Sequence, residues 1–311
     1  MNKSNYNWLL YSVGAGLSWG IWGVIVKDIS EDVSPYLNHC LFTIGMLMMF
    51  PLLIRKLKVS NINKKGFAWS IIAGILAVAG NVAVYKAFSN GGNAAVVIPV
   101  TNLYPLVTIV VALFAFKEKL NWVNGIGILL SVPAILLLSG ESLLFKEPAA
   151  FFQSISLNTW LFYSFVAMLF WGLFSAAQKI TTNHISAEWS YIGFIVSSVF
   201  ISLLFLLFGW VETNVSGRNL WLGFVAGMLN GLGVLSSFAA YSAEGKASKV
   251  TTIAGALQPV FTIVLAVGLL REKISFMEVM GILIAIIGTA ALSYEKKDVL
   301  FAITVKSKAD E

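Results

Sequence analysis

Residues 105–119 read PLVTIVVALFAFKEK, and residues 259–273 read PVFTIVLAVGLLREK. Pro105, Thr108 and Ile109 align with Pro259, Thr262 and Ile263, and Glu118-Lys119 aligns with Glu272-Lys273, all 154 residues apart. Gly127 and Gly281 extend the match downstream at the same separation. Upstream, Ala73-Gly74-Ile75-Leu76 matches Ala226-Gly227-Met228-Leu229 at 153 residues. Trp19-Gly20, with Lys27 eight positions past the Trp, matches Trp171-Gly172 with Lys179, at 152. Three separations this close mark one duplicated unit, because independent coincidences would not keep a common spacing.

Each copy consists of apolar blocks of about 20 residues, the length that crosses the hydrocarbon core of a bilayer. Spans are expected near 8–26, 36–54, 67–88, 94–115 and 122–139, and again near 159–178, 189–208, 220–242, 250–270 and 275–293. Composition agrees: 58% of the residues are hydrophobic, 12% are charged and the mean hydropathy is +0.83, a balance no soluble core absorbs. The first block, Trp8 to Val26, has no strong basic leader and no small-residue cleavage site, so it reads as a retained span. The expected fold is an all-α polytopic membrane protein, with ten transmembrane helices as two inverted five-helix repeats around a central cavity. Inversion follows from counting, since five crossings bring the chain into its second copy from the opposite face. Residues 1–140 form the first repeat, 141–158 an extracytoplasmic linker, 159–294 the second repeat and 295–311 a cytoplasmic tail.

Charge orients this array. With ten spans, fifteen of the 21 Lys and Arg residues share a side with both termini, and the loop from Arg55 to Lys65 is the richest stretch. Five lie opposite, and Lys86 alone falls inside a span. Both termini are therefore expected in the cytoplasm. The formal charge of +6 is explained by topology, so nucleic acid is not an expected partner; the lipid bilayer is. Cys40 is the only cysteine, which leaves no intrachain disulfide and no Cys-based zinc site.

The duplicated Trp-Gly pairs, the Pro of the fourth and ninth spans with Lys-Glu-Lys (117–119) or Arg-Glu-Lys (271–273) after it, and the Gly-rich fifth and tenth spans resemble the drug/metabolite transporter superfamily. They resemble in particular its members with two tandem EamA-like domains. The resemblance covers roughly residues 8–294. It implies ten spans, a central cavity between the halves, and export or exchange of small metabolites, often amino acids or related compounds. No cofactor or metal is expected, and the expected membrane is a bacterial or archaeal plasma membrane.

Candidate binding residues follow from depth and polarity. A residue 9 to 12 positions into a span lies near the midplane, where substrate sites of inverted-repeat carriers sit. Trp19, Tyr104, Trp171, Asn230 and Gln258 meet that test. Pro105 and Pro259 are expected to break their spans and free the carbonyls of Thr101 and Gly255 toward a cavity, with Asn102, Tyr104 and Gln258 beside them. Asn81 and Tyr85 make a polar stripe on the third span, and Asn230, Ser237 and Tyr241 make one on the eighth; for Ser237, a helix–helix hydrogen bond is the simpler expectation. Trp19, Trp22 and Trp171 offer aromatic walls. Lys86 either meets a substrate carboxylate or snorkels to the outer interface. Gly16 and Gly20, and Gly227 and Gly231, allow close helix approach. Glu118 and Glu272 read as caps or interfacial pairs. No span has a central Asp or Glu, and Glu244 and His39 are the nearest proton-carrying candidates.

Aromatic walls, amides and hydroxyls with little fixed charge suit a small amphipathic or zwitterionic solute. The expected function is thus a secondary transporter that moves such a metabolite, amino acids above all, out of the cell by alternating access. Uptake or exchange of another metabolite is the alternative. Gly16-Leu17-Ser18-Trp19-Gly20 spells G-x-S-x-G, but Ser18 lies mid-helix, the second copy has Phe170 in its place, and a hydrolase needs a strand-to-helix elbow and a partnered His. No enzyme activity is expected. A channel filter, whether a charged ring or a carbonyl loop, has no counterpart in the sequence.

Overall fold

The computed structural model describes residues 7–54, 57, 62–115, 121–138, 159–244, 247–292 and 294, and every regular element among them is an α-helix. In chain order these are α1 (Asn7–Ile29), α2 (Pro35–Leu47), α3 (Phe50–Ile54), α4 (Lys64–Ser89), α5 (Ala94–Thr101), α6 (Pro105–Ala115), α7 (Trp122–Leu138), α8 (Thr159–Thr182), α9 (Ala187–Leu207), α10 (Gly217–Glu244), α11 (Ala247–Leu269) and α12 (Phe276–Leu292). Seven helical stretches are long and apolar enough to cross a membrane: 7–29, 35–54, 64–89, 94–111, 159–182, 187–207 and 217–240. Three shorter apolar helices lie at 122–138, 253–269 and 276–292.

Local chemistry explains where helices start. Ser34 Oγ accepts from Leu37 N at 3.2 Å ahead of Pro35, and Asn63 Oδ1 accepts from Lys65 N and Gly66 N at 3.0 and 3.1 Å. Ser275 and Glu278 form a reciprocal capping box at α12: Ser275 N donates to the Glu278 carboxylate at 2.6 Å, and Glu278 N to Ser275 Oγ at 3.2 Å. The first turn of α5 has no side-chain cap of its own. Instead Glu272, 177 residues along the chain from Ala95, accepts from Ala94 N and Ala95 N at 2.8 and 2.9 Å.

Two expected spans are broken helices. The second pauses between α2 and α3 at Met48-Met49, and the fourth divides into α5 and α6 at Asn102–Tyr104.

Glycines set the packing distances. A Cβ on Gly20 would lie 2.6 Å from Phe261 Cβ and 3.1 Å from the Gln258 carbonyl, so α1 presses its backbone onto α11. On α8, a Cβ at Gly172 would meet Tyr104 O at 2.7 Å. Gly227 and Gly231 bring α10 onto α2 in the same manner, against Phe42 and Met46. These contacts fit the role expected of the small residues.

Contacts also sort the helix ends. Lys27 Nζ donates to Phe88 O, Ser89 Oγ to Ser30 O, and Arg218 pairs with Asp28 at 2.7 Å. The ends of α1 and α4, the start of α10 and the Glu272-capped start of α5 therefore share one end of the molecule, the Ile29 end. At the opposite, Lys64 end, Gly66 meets His184 and Ile185, and the Phe67 and Trp189 rings lie 6.4 Å apart.

The polarity of the molecule is that of a bilayer protein. Phe114 is 82% exposed, Leu207 77% and Leu129 74%, whereas Asn38, His39, Ser164 and Ser198 are buried. Large apolar side chains in contact with the surroundings and polar ones packed inside fit a hydrocarbon solvent. The chain is a polytopic α-helical integral membrane protein.

Candidate functional site

Residues of α1, α4, α8, α9, α10 and α11, with Tyr104 from the turn before α6, line a cavity of about 60 Å³. At roughly 10–15 Å³ of such volume per water, it holds about four to six waters or a small solute. Trp19, Trp22, Asn81, Tyr104, Trp171, Asn230, Ser237 and Gln258, all singled out from sequence, meet on its wall. Among the described residues, no Asp, Glu, Lys, Arg or His lines it.

The aromatic part of the wall is ordered by ring contacts and one hydrogen bond. Trp22 lies 6.1 Å from Trp171, centroid to centroid, and Trp171 Nε1 donates to Asn81 Oδ1 at 3.1 Å. Asn81 thereby holds one indole with its carbonyl oxygen. Asn230 and Gln258 are buried amides on α10 and α11. Ser237 Oγ donates to Val234 O at 2.9 Å within its own helix, so the helix–helix bond expected for it is replaced by a local one.

Other predicted residues lie elsewhere. Tyr85 is buried behind Trp22, its ring 6.1 Å away, and is not on the cavity wall. Lys86 is at the Ile29 end with Nζ 5.6 Å from the Tyr36 ring centroid and 5.5 Å from that of Tyr163. The two rings give its ammonium cation–π partners in place of a cavity. Asn102 is fully buried off the cavity, its amide donating to Ile98 O at 3.0 Å while its backbone carbonyl accepts from Thr289 Oγ1 at 3.1 Å. The side chains of Tyr241 and Glu244, and Glu118 with residues 141–158 and 295–311, fall outside the described residues.

The prolines behave unequally. Pro105 is the first residue of α6, where its missing N–H costs nothing, and the Thr101 carbonyl expected to be free accepts from Tyr104 N at 3.1 Å. Pro259 sits inside α11, which continues unbroken to Leu269. The chain therefore breaks at one proline of the pair and runs through the other.

Of the described wall residues, sequence reasoning missed half: Ala77, Phe174, Ser175, Gln178, Phe194, Val234, Val250 and Ala254. The signal was periodicity. Phe174, Ser175 and Gln178 stand three, four and seven residues past Trp171, one face of a helix, and Val250 and Ala254 precede Gln258 by eight and four.

The duplicated motifs meet each other here. Thr108 Oγ1 donates to Gly172 O at 3.0 Å, and Thr262 Oγ1 donates to Gly20 O at 3.1 Å. The Thr-Ile motif of each copy thus bonds the Trp-Gly motif of the other, beside the wall residues Trp19, Trp171 and Gln258.

Among the described residues, an aromatic-walled cavity without charged side chains between membrane helices is the kind of site a small-solute transporter uses. The EamA-like transporter family matches the chain over residues 6–140 and again over 158–294. The chain belongs to that family, as a tandem EamA member of the drug/metabolite transporter superfamily. An uncharacterised transporter of Clostridium kluyveri is 25% identical over 266 residues, 80% of this chain and 79% of that protein. An uncharacterised protein of Methanocaldococcus jannaschii is 28% identical over 96 residues, 31% of this chain and 69% of that one. One crystal structure superposes with a TM-score of 0.62 at 19% identity, covering 96% of this chain and 98% of the other, a likeness of fold.

Proposed function

We propose that this transporter carries a small amphipathic metabolite, amino acids fitting best, out of the cell by alternating access between two inverted five-helix repeats. The repeats are residues 1–140 and 159–294, joined by an extracytoplasmic linker at 141–158. Both termini and the 295–311 tail lie in the cytoplasm of a bacterial or archaeal cell, with the Lys64 end facing inward. The observation that carries this reading is the cavity itself: three indoles, Tyr104, and the amides of Asn81, Asn230, Gln258 and Gln178 surround a space to which no described residue contributes a fixed charge. Such a wall gives a zwitterion hydrogen bonds for its carboxylate and aromatic faces for its ammonium and side chain. The reciprocal Thr108–Gly172 and Thr262–Gly20 bonds support paired halves that exchange conformations.

The test is flux of labelled amino acids in proteoliposomes. Saturation and trans-stimulation are expected, together with thermal stabilisation of the purified protein by the transported solute. Flux that rises linearly with solute concentration overturns the carrier reading. Solute that stabilises Tyr104→Ala and Gln258→Ala as well as the parent overturns the assigned site.

A further inference from the structure

The cavity is lopsided along the membrane normal. Toward the Lys64 end it reaches Gln178, four residues from the end of α8, and Val250, three residues from the start of α11. At 1.5 Å per residue that is within about 6 Å of those helix ends. Toward the Ile29 end it stops at Trp22 and Asn81, seven and eight residues short, or about 10–12 Å.

Among the described residues, those that extend it are all from the second copy, and the separations of 152, 153 and 154 give each a partner in the first. Gln178 pairs with Val26, Ser175 with Gly23, Ser237 with Val84, and Val250 with Val96. Every one of these partners is buried, and Val26 and Val84 belong to the apolar cluster that shuts the Ile29 end with Phe88, Ala94 and Ile98. Glu272 pinned on Ala94 and Ala95, Lys27 on Phe88 O and Ser89 on Ser30 O lie over that cluster.

The exchange is unequal in chemistry. The side toward which the cavity extends has an amide and two hydroxyls where the other side has two valines and a glycine. Gln178 is 4% exposed and its Nε2 has no hydrogen-bond partner, so it needs a water or solute acceptor in the cavity.

We propose that Gly23, Val26, Val84 and Val96 are the second set of walls of the binding cavity, used when it faces the Ile29 end. On this proposal the empty protein rests facing the Lys64 end, because turning would dry the Gln178, Ser175 and Ser237 groups and wet the valines. Polar contacts of solute with Gln178, Ser175 and Ser237 then exist in one orientation only, and the outer-facing cavity is the more apolar. This inference rests on the carrier reading above.

The test needs no solute. The full chain with Cys40→Ala as background is reconstituted in sealed liposomes. One cysteine at a time is introduced, and a charged, membrane-impermeant methanethiosulfonate is added to one face. Ser237→Cys is expected to react from the Lys64 end about tenfold or more faster than Val84→Cys reacts from the Ile29 end, a difference of one decade in the population of the two states. Adding Gln178→Val, a change on the cavity wall that removes one polar group, is expected to lower that ratio severalfold, and Val26→Gln to lower it further. A ratio that Gln178→Val leaves unchanged, with Val84→Cys still reacting from the Ile29 end, overturns this inference and leaves the carrier reading standing. If Val84→Cys never reacts from that end, with or without Gln178→Val, the carrier reading fails and the inference with it. Gln178→Val carries the decision alone should the buried Val26→Gln chain not fold.

Discussion

Gly20 and Gly172 show how much a single missing side chain decides. Each gives its helix a backbone-to-backbone approach, and each offers its carbonyl to a threonine of the other copy. Gly20→Val and Gly172→Val are expected to destabilise by about 2 kcal/mol each through overpacking, read as a lowered melting temperature in detergent. Thr108→Val and Thr262→Val remove the bond to the other copy without adding bulk, Thr108 also losing a longer 3.3 Å contact with Tyr104 O, and are expected to cost about 1 kcal/mol or less apiece. The two variants should be closely matched, because the paired bonds are nearly equal in length; a marked inequality would count against equivalent roles for the two copies. At this scale sequence was a partial guide. It pointed to Trp19, Trp171, Tyr104 and Gln258 from depth and polarity, yet passed over Gln178 because an amide near a helix end reads as interfacial unless its face is compared with that of Trp171.

Among the helices, the informative contact is the cap on α5. Glu272 supplies two charge-assisted bonds to N–H groups that otherwise have no side-chain acceptor. Glu272→Ala is expected to cost about 2 kcal/mol, twice the loss of about 1 kcal/mol for Glu278→Ala at the exposed capping box of α12. Thermal unfolding of the two variants side by side checks the order. The element scale is also where the paired prolines part company. Pro105 begins α6 after a turn that satisfies the Thr101 carbonyl, while Pro259 is carried within α11. A proline forbids one hydrogen bond wherever it stands; whether the helix restarts or continues depends on the neighbours that pack around it, and these differ between the copies.

For the whole molecule, the distribution of Lys and Arg predicts orientation. In right-side-out vesicles an impermeant amine reagent is expected to spare the Lys-rich termini and the 55–65 loop and to label them after the vesicles are opened. Labelling of those segments from outside would reverse the assigned topology and, with it, the face to which the described cavity extends.

Composition, block length and the triple spacing of 152 to 154 residues settled by themselves that this is a helical membrane protein made of a duplicated unit, because apolar length and repetition are properties of the chain read linearly. Tertiary structure decided which residues share the cavity. Asn102 and Tyr104 are two positions apart, yet one spends its amide on Ile98 and the other faces the cavity, and Glu272 reaches a helix 177 residues away. Depth along a helix is written in the sequence, but the face a helix turns inward, and the partner it meets there, is set only when glycine-lined backbones close on one another.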